Sequence, residues 1–278
     1  GADVAREEDV QSVVEPPPSP DPPSIMGNSP TKLSQRLERA EKTGVLALRD
    51  CGLEKVPDRV VSVAGLRVLD MSHNKLTSLP SSLSRLEGLK DLSLDANKLA
   101  SLPAQICMLP RLETLSAPSN DLTSLPGAIG SLVKLRKLVL TGNRLTALPD
   151  SLCACSSLQL LDASRNRLAA LPEALGQLGS LVELTLAENC LSAVPASTGS
   201  LRRLKDLDLR GNPLEGLPAG LLTDTPLQHL QLDERLLAKD GSLREDVEGR
   251  EAYAARRKAR IDKELHGKAT GGDVNFSS

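Results

Sequence analysis

Two pairs of side chains in this 278-residue chain have types and spacing that suggest chemistry, and the first is a pair of cysteines. Cys153 and Cys155 are one residue apart, and closely spaced thiolates can bind zinc or carry out redox reactions. No second cysteine pair and no nearby histidine completes a zinc set, and Cys155 stands where leucine is found elsewhere in the chain. The sequence therefore favours buried apolar cysteines over a metal site.

The second pair consists of two carboxylates, Asp206 and Asp208, whose spacing would put both on one face of a strand. Paired acids of this kind can act in general acid and base catalysis, but no nucleophile or base accompanies them here. A phosphate-binding loop, a dinucleotide-binding glycine motif, G-x-S-x-G and H-E-x-x-H are all missing from the sequence. We predict that the protein is not an enzyme, with no catalytic residues, no metal and no cofactor.

The composition excludes further classes of protein. The formal net charge is −2 and aromatic residues make up only 1% of the chain, so neither a basic field nor stacking rings indicate a nucleic-acid partner. No apolar run approaches the roughly 18–20 residues of a membrane span. The first residues are acidic, unlike a secretory signal, and five cysteines at irregular spacing fit a reducing compartment. We expect a cytoplasmic protein.

An internal repeat predicts the architecture. The pattern L-x-x-L-x-L-x-x-N-x-L-x-x-L-P recurs with a step of 23 residues across about nine repeats in residues 44–237. Its asparagines are Asn74, Asn97, Asn120, Asn143, Asn166, Asn189 and Asn212, and Cys51 stands in the same register one step earlier. The pattern is typical of an α/β leucine-rich repeat solenoid (a horseshoe), with a parallel sheet on the concave face and short helical or 3₁₀ segments on the convex face.

Each position of the repeat has a physical role. Leu66, Leu69 and Met71 mark a short strand with alternate side chains directed inward, and a proline begins the return segment, where its fixed φ suits the turn. One turn cannot bury its own leucines, so it depends on its neighbours. We expect the asparagines to form a structural ladder whose amides satisfy backbone groups that stacking would otherwise leave unpaired.

Segments outside the array differ from it in composition. Residues 1–25 contain six prolines and carry a net charge of −5, which predicts a disordered acidic extension. Residues 26–43 read as a capping helix with Leu33, Leu37 and Ala40 on one face. Residues 238–266 include a charged helix, beginning near 243, with an apolar stripe of Val247, Ala254 and Ile261, and residues 267–278 read as a flexible tail.

Carboxylates dominate the predicted concave face. The positions between and just after the strand leucines hold eleven acidic residues against Arg49, Lys137, Arg165 and Arg210, whereas Arg67, Lys90, Arg136 and Lys205 would occupy one rim. We predict a site for a basic protein surface or peptide; the alternative is a solvated charged face without a partner. The predicted contact residues are Asp70, Asp91, Ser93, Asp95, Ser116, Asp162, Glu183, Asp206 and Asp208.

The opening of the array resembles a known family. Met26-Gly27-Asn28-Ser29, the segment 40–45 (AEKTGV), and Asp50, Gly52 and Leu53 are similar to the start of the leucine-rich repeat-containing protein 57 group. The resemblance covers residues 26 to about 263 and implies a small intracellular array with a lipidated N-terminal glycine. Arrays of 23-residue repeats also include Ras-group scaffolds, but the Gly-Val-Tyr-Trp segment of the related plant proteins is missing here.

A lipidation motif occurs at Gly27. Met26, Gly27 and Thr31 fit the M-G-x-x-x-[ST] pattern for myristoylation, which requires Gly27 at the mature N-terminus and hence translation from Met26. A single acyl chain needs a second membrane signal, for which basic side chains near Arg36 or Arg256 are candidates; the alternative for them is a solvated helix face. The motif predicts peripheral membrane contact.

Together, these patterns predict a monomeric, non-catalytic adaptor that binds a protein partner on its concave face, with Gly27 as a membrane anchor. The alternative is a scaffold in small-GTPase or kinase signal transduction, which would use the same face and differ in the identity of its partner.

Overall fold

A computed structural model describes residues 30–238 and 242–270. The 1–25 extension, the Gly27 motif and residues 271–278 of the predicted tail lie outside the described residues. Nine strands form one open parallel sheet in which each strand pairs with the next along the chain. Their bounds are β1 Val45–Ala47, β2 Val68–Asp70, β3 Asp91–Ser93, β4 Thr114–Ser116, β5 Lys137–Val139, β6 Leu160–Asp162, β7 Glu183–Thr185, β8 Asp206–Asp208 and β9 His229–Gln231.

The strand register follows the 23-residue step without a slip. Leu69 pairs with Leu92, Leu92 with Leu115, and the same central position continues to Leu230. From β1 to β8 this central side chain is fully or nearly fully buried, and the residue on either side of it faces solvent on the concave face. The predicted α/β leucine-rich repeat solenoid is confirmed.

The convex return segments are mostly short 3₁₀ helices. They span Asp58–Ser62, Ser81–Arg85, Ala104–Met108, Ile129–Ser131, Asp150–Ala154, Leu175–Gln177 and Ala196–Ser200, with the helix α2 (Ala219–Thr223) in the same place in the eighth return segment and a further turn at Glu234–Leu236. Most begin directly after a proline in extended conformation; Pro80, for example, has φ −70°. Each segment except Ala196–Ser200, which buries Thr198 instead, contributes apolar side chains to the leucine core between the two faces.

Helices cover both ends of the stack. Helix α1 (Pro30–Thr43) buries Leu37 and Ala40 against the first turn. Helix α3 begins at Arg250 and ends at Thr270, later than the predicted start near residue 243. Residues 242–249 instead run over the last turn, where Leu243 pairs with Leu237 and Gly249 has φ +82°, a left-handed conformation that no helix continues through.

The predicted apolar stripe of the C-terminal helix is wrong. Ala254 and Ile261 are exposed, and Val247 precedes the helix. Because α3 begins at Arg250, its inward face holds Tyr253 and, three and seven residues later, Arg256 and Arg260. The Arg256 guanidinium donates to the carbonyl oxygens of Leu222 and Thr223 at the end of α2. Hydrogen-bonding side chains with apolar stems therefore join α3 to the array.

Candidate functional site

The asparagine ladder sets the backbone that carries the concave face. All seven ladder asparagines are buried. In the middle of the array, the Asn143 amide donates to the carbonyl oxygens of Ala117 (2.9 Å) and Leu140 (2.8 Å), and its Oδ1 accepts from the Leu122 amide at 3.0 Å. Each asparagine thus bonds its own turn and the preceding one.

The first turn, where Cys51 replaces asparagine, has a different arrangement. Asn74 of the second turn accepts hydrogen bonds from the amides of both Cys51 (3.0 Å) and Leu53 (2.9 Å). Arg36 of α1 donates to the carbonyl oxygen of Ala47 at 3.3 Å and to the Cys51 sulfur at 2.8 Å. The capping helix therefore supplies donors on the side where no earlier turn exists.

The residue before each ladder position is left-handed, which turns the chain away from the sheet. It has φ between 50° and 56° at Asp50, His73, Ala96, Ser119, Arg165 and Glu188, and glycine takes the place at residues 142 and 211. For non-glycine residues this conformation is disfavoured by about 1–2 kcal/mol, so the tertiary structure must impose it. It fixes a column of exposed side chains along the end of the strands.

The predicted contact residues all lie on the concave face, but their charges differ in availability. Arg210 donates to both carboxylate oxygens of Asp208, at 3.0 and 2.7 Å, and leaves that side chain only 15% exposed. Arg165 similarly pairs with Glu188 at 3.1 Å, and Arg49 with Asp50 at 3.3 Å. Asp208 is therefore neutralised within the protein, and the three concave arginines are all engaged with neighbouring acids.

The remaining predicted residues form two groups. Asp70, Asp91 and Asp95 lie on β2, on β3 and just beyond β3, with Ser93 beside them; Asp95 accepts a hydrogen bond of 2.7 Å from Ser116. Asp162, Glu183 and Asp206, which we call the acidic patch, lie on the adjacent strands β6, β7 and β8. Asp162 accepts hydrogen bonds from the Ser164 amide at 3.0 Å and hydroxyl at 2.7 Å, which hold the carboxylate in place.

Like charges are concentrated in the acidic patch. Glu183 pairs directly with Asp206 in the sheet register. Burial raises the pKa of Glu183, the negative charges of Asp206 and Asp162 raise it further, and Lys137 offsets only part of the shift. No ion pair to Asp162 or Glu183 lies within 4 Å in residues 30–238 and 242–270. The patch is therefore a place where an added cation would be stabilised.

The sequence did not reveal the partners of Asp206. His229 of β9 pairs with the Asp206 carboxylate through Nδ1, and Arg260 of α3 contacts its Nε2 at 2.7 Å. Because a guanidinium can only donate, Nε2 must accept, and the imidazole proton is assigned to Nδ1. The 23-residue step from Asp206 to His229 was a signal for the first contact, but none predicted Arg260.

The cysteines have a packing role on the convex side. Cys107 and Cys153 occupy the same column as Gly130, Gly176 and Gly199, where neighbouring return segments approach closely. Burial raises the pKa of both thiols, and it raises that of the fully buried Cys155 to about 11. Within residues 30–238 and 242–270, no three metal-ligating side chains are grouped to hold an ion.

Neither terminal helix could serve as a membrane span, since no helix in the described part of the chain combines the necessary length with sufficient apolar content.

Stacked strand-and-turn units with one solvated sheet face define a repeat solenoid. The leucine rich repeat model matches residues 44–99, 110–168 and 156–214, more than half of the chain, and the protein belongs to the leucine-rich repeat family. Members of this family generally act in protein–protein interaction, and their fold is typically non-catalytic. No curated protein matches the chain.

Solved structures with similar folds come from several different organisms. A leucine-rich repeat protein of Leptospira interrogans is 31% identical, with a TM-score of 0.62 over 71% of this chain and 57% of its own. An internalin of Listeria monocytogenes is 18% identical (TM-score 0.57, 67% and 52%) and supports the fold alone. The ectodomain of the Arabidopsis thaliana receptor kinase GASSHO1/SCHENGEN3, in complex with CASPARIAN STRIP INTEGRITY FACTOR 2, is 30% identical (0.52, 68% and 27%). This chain spans less than two thirds of each neighbour's length.

Proposed function

We propose that the protein is a non-catalytic adaptor that binds a basic protein segment on its concave face. The acidic patch of Asp162, Glu183 and Asp206 carries the proposal. Glu183 and Asp206 are register partners, Asp162 lies diagonally across from Glu183 on the adjacent strand, and Glu183 has a raised pKa. An arginine or lysine of a partner would relieve this repulsion. The receptor ectodomain among the structural neighbours is in complex with CASPARIAN STRIP INTEGRITY FACTOR 2, and binding of a partner by such an array supports the proposal by analogy.

The chemistry of the face indicates the kind of binding. Aromatic side chains commonly anchor tight interfaces, but the single Tyr and single Phe of this chain both lie outside the array. The second acidic group, Asp70, Asp91 and Asp95, would extend the attraction along the sheet, and the Ser93 and Ser116 hydroxyls lie beside it. We expect steering by charge, with affinity that falls as salt screens the carboxylates.

Neutralising the patch is expected to weaken binding of a fluorescently labelled octalysine peptide. The double variant Asp162→Asn/Glu183→Gln removes two charges, and the amide oxygen introduced at position 162 can still accept from Ser164. The Kd of this double variant for the peptide should rise about tenfold at low salt. Wild-type affinity should fall as pH drops through the raised pKa of Glu183, because only the ionised carboxylate attracts the peptide. Fluorescence anisotropy measures both effects.

A matched control removes two carboxylates elsewhere. Glu54 and Glu173 are exposed and lie outside the concave face, so Glu54→Gln/Glu173→Gln should bind the peptide nearly as tightly as the wild type. Equal losses in the two double variants would show that net charge in general, or another surface, attracts the peptide. A wild-type affinity that does not change with salt would contradict steering by charge.

The narrower predictions from the sequence stay proposals. A scaffold for a small-GTPase or kinase partner would use the same acidic face, and the resemblance to the leucine-rich repeat-containing protein 57 group supports an intracellular array. We likewise propose a cytoplasmic location and a monomeric state.

We also propose acylation of Gly27, on the strength of the Met26-Gly27 motif. The intact mass of the cellular protein is expected to correspond to a chain beginning at Gly27 plus one myristoyl group. Gly27→Ala should remove that added mass while leaving the array folded, as measured by circular dichroism. A mass that includes residues 1–25, or one that lacks the acyl group, would overturn the lipidation proposal.

A further inference from the structure

A basic edge runs along the sheet where the chain begins each strand. We define this start edge by the leucine that precedes each strand from β2 to β9 (Leu66 to Leu227), together with the two residues before it and the one after it. Backbone hydrogen bonds of 2.7 or 2.8 Å join the residues after the leucine from turn to turn. The linked residues are Gly44, Arg67, Lys90, Glu113, Arg136, Gln159, Val182, Lys205 and Gln228.

Cations outnumber carboxylates on this edge by eight to two. The cations are Arg67, Lys90, Arg111, Lys134, Arg136, Arg202, Arg203 and Lys205, all exposed, and the carboxylates are Glu87 and Glu113. Lys90 lies 2.9 Å from the Glu113 carboxylate and Arg136 lies 3.9 Å from it. The hydrogen bond from Lys90 and the charges of Lys90, Arg136 and Lys134 lower the pKa of Glu113, as expected at a positive surface.

Two exposed apolar side chains protrude among these cations. Met108 is 67% exposed at the end of its 3₁₀ helix, three residues before Arg111. Val133 is 54% exposed and directly precedes Lys134 in the next turn. They are two of only four large apolar side chains exposed in the described part of the chain. Exposed apolar side chains close to cations are the arrangement by which a peripheral protein enters the headgroup region of a bilayer.

We propose that the start edge docks on an anionic membrane surface, with Met108 and Val133 inserted among the lipid headgroups. Seven steps of about 4.8 Å separate β2 from β9, so the edge is roughly 34 Å long. Its cations precede β2 to β5 and β8. The turns before β6 and β7 contribute serine, glycine, glutamine and valine with no acid, and the turn before β9 is also uncharged. A short acidic peptide would engage only part of such an edge, whereas a charged plane contacts its whole length.

The start edge and the concave face are different surfaces of the array. Glu183 and Asp206 are the first residues of β7 and β8 and directly follow the edge residues Val182 and Lys205, but the acidic patch lies on the sheet face that is open to a partner. The proposal depends neither on the concave-face function nor on acylation of Gly27. Unacylated full-length protein is therefore the right material for the test.

The experiment is co-sedimentation with vesicles of phosphatidylcholine alone or with one third phosphatidylserine. Wild-type protein should sediment with the anionic vesicles and not with the neutral ones, and added salt should release it. Arg111→Glu/Lys134→Glu is expected to reduce the partition coefficient at least tenfold. Met108→Ser/Val133→Ser, with unchanged charge, should reduce it about fivefold because apolar insertion is lost.

The opposite edge supplies the matched control. Lys75 and Lys98 are exposed on adjacent turns where the chain leaves the sheet, and Lys75→Glu/Lys98→Glu makes the same change in net charge. This variant should keep at least half of the wild-type partition coefficient, with circular dichroism confirming that every variant is folded. Absence of wild-type binding, equal binding to neutral vesicles, or equal losses at the two edges would overturn the proposal. Vesicle binding at the wild-type level by Arg111→Glu/Lys134→Glu would also overturn it, even if the start edge then proved to bind an acidic protein.

Discussion

Replacing Asn143 with alanine is expected to lower the free energy of unfolding by about 2 kcal/mol, although the residue is polar. Its amide satisfies the carbonyl oxygens of Ala117 and Leu140, and its oxygen satisfies the Leu122 amide. A buried backbone group left without a partner typically costs about 1–3 kcal/mol. Alanine leaves the Leu122 amide unpaired, whereas the carbonyl oxygens of Ala117 and Leu140 lose one hydrogen bond each and keep those from Asn120 and Asn166. Urea unfolding followed by circular dichroism measures the change.

The adjacent residue provides the control for this prediction. Arg144 is exposed and forms a surface ion pair of 2.6 Å with Asp121. Arg144→Ala should change the free energy of unfolding by less than about 1 kcal/mol, as surface ion pairs usually do. If Asn143→Ala is no more destabilising than Arg144→Ala, the ladder is not a major source of stability. Because each turn is supported mainly by its neighbours, the Asn143 variant should also broaden the unfolding transition.

Adding one methyl group at Gly176 is expected to lower the free energy of unfolding by about 3 kcal/mol, the upper end for overpacking. A Cβ atom there would lie 2.0 Å from the Ser197 carbonyl oxygen and 2.7 Å from its carbonyl carbon. Both are backbone atoms of the next convex segment, so no rotation of a side chain relieves the clash. The two segments would have to separate, which would open the leucine core between turns.

Gly216 is a matched site for the same substitution. A Cβ atom there would meet nothing within 4 Å, and the residue lies on an exposed turn. Gly216→Ala should therefore be neutral or stabilise the protein by up to about 1 kcal/mol, because alanine restricts the unfolded chain. Urea unfolding of the two variants side by side tests the close approach; similar small changes in both would contradict it.

The sequence repeat alone was enough to predict the sheet. A fixed 23-residue step assigns every strand, its register and the inward leucines, because identical turns can stack in only one register without exposing apolar side chains. The same step placed Asp162, Glu183 and Asp206 on neighbouring strands. It also gave the ladder positions, since Asn143 and its equivalents recur with the leucines.

Features that depend on geometry between unlike segments were not predictable. The start of α3 at Arg250 depends on Gly249 and on the pairing of Leu237 with Leu243, so the inward face with Arg260 could not be assigned. The tight contact at Gly176 depends on how far apart the convex segments lie, which a pattern of leucines does not specify. Pairing of Asp208 with Arg210 required the conformation of the chain just beyond β8.

The left-handed residue before each ladder position has a consequence for how the array can change in length. Every unit leaves the sheet with the same bend and presents the same donors and acceptors to the unit that follows, so a complete 23-residue unit is interchangeable with any other. Gain or loss of a unit between β3 and β6 would leave the joints intact and would move the two carboxylate groups apart or together by about 4.8 Å. The number of units between the two carboxylate groups thus sets which spacing of positive charges a partner must have.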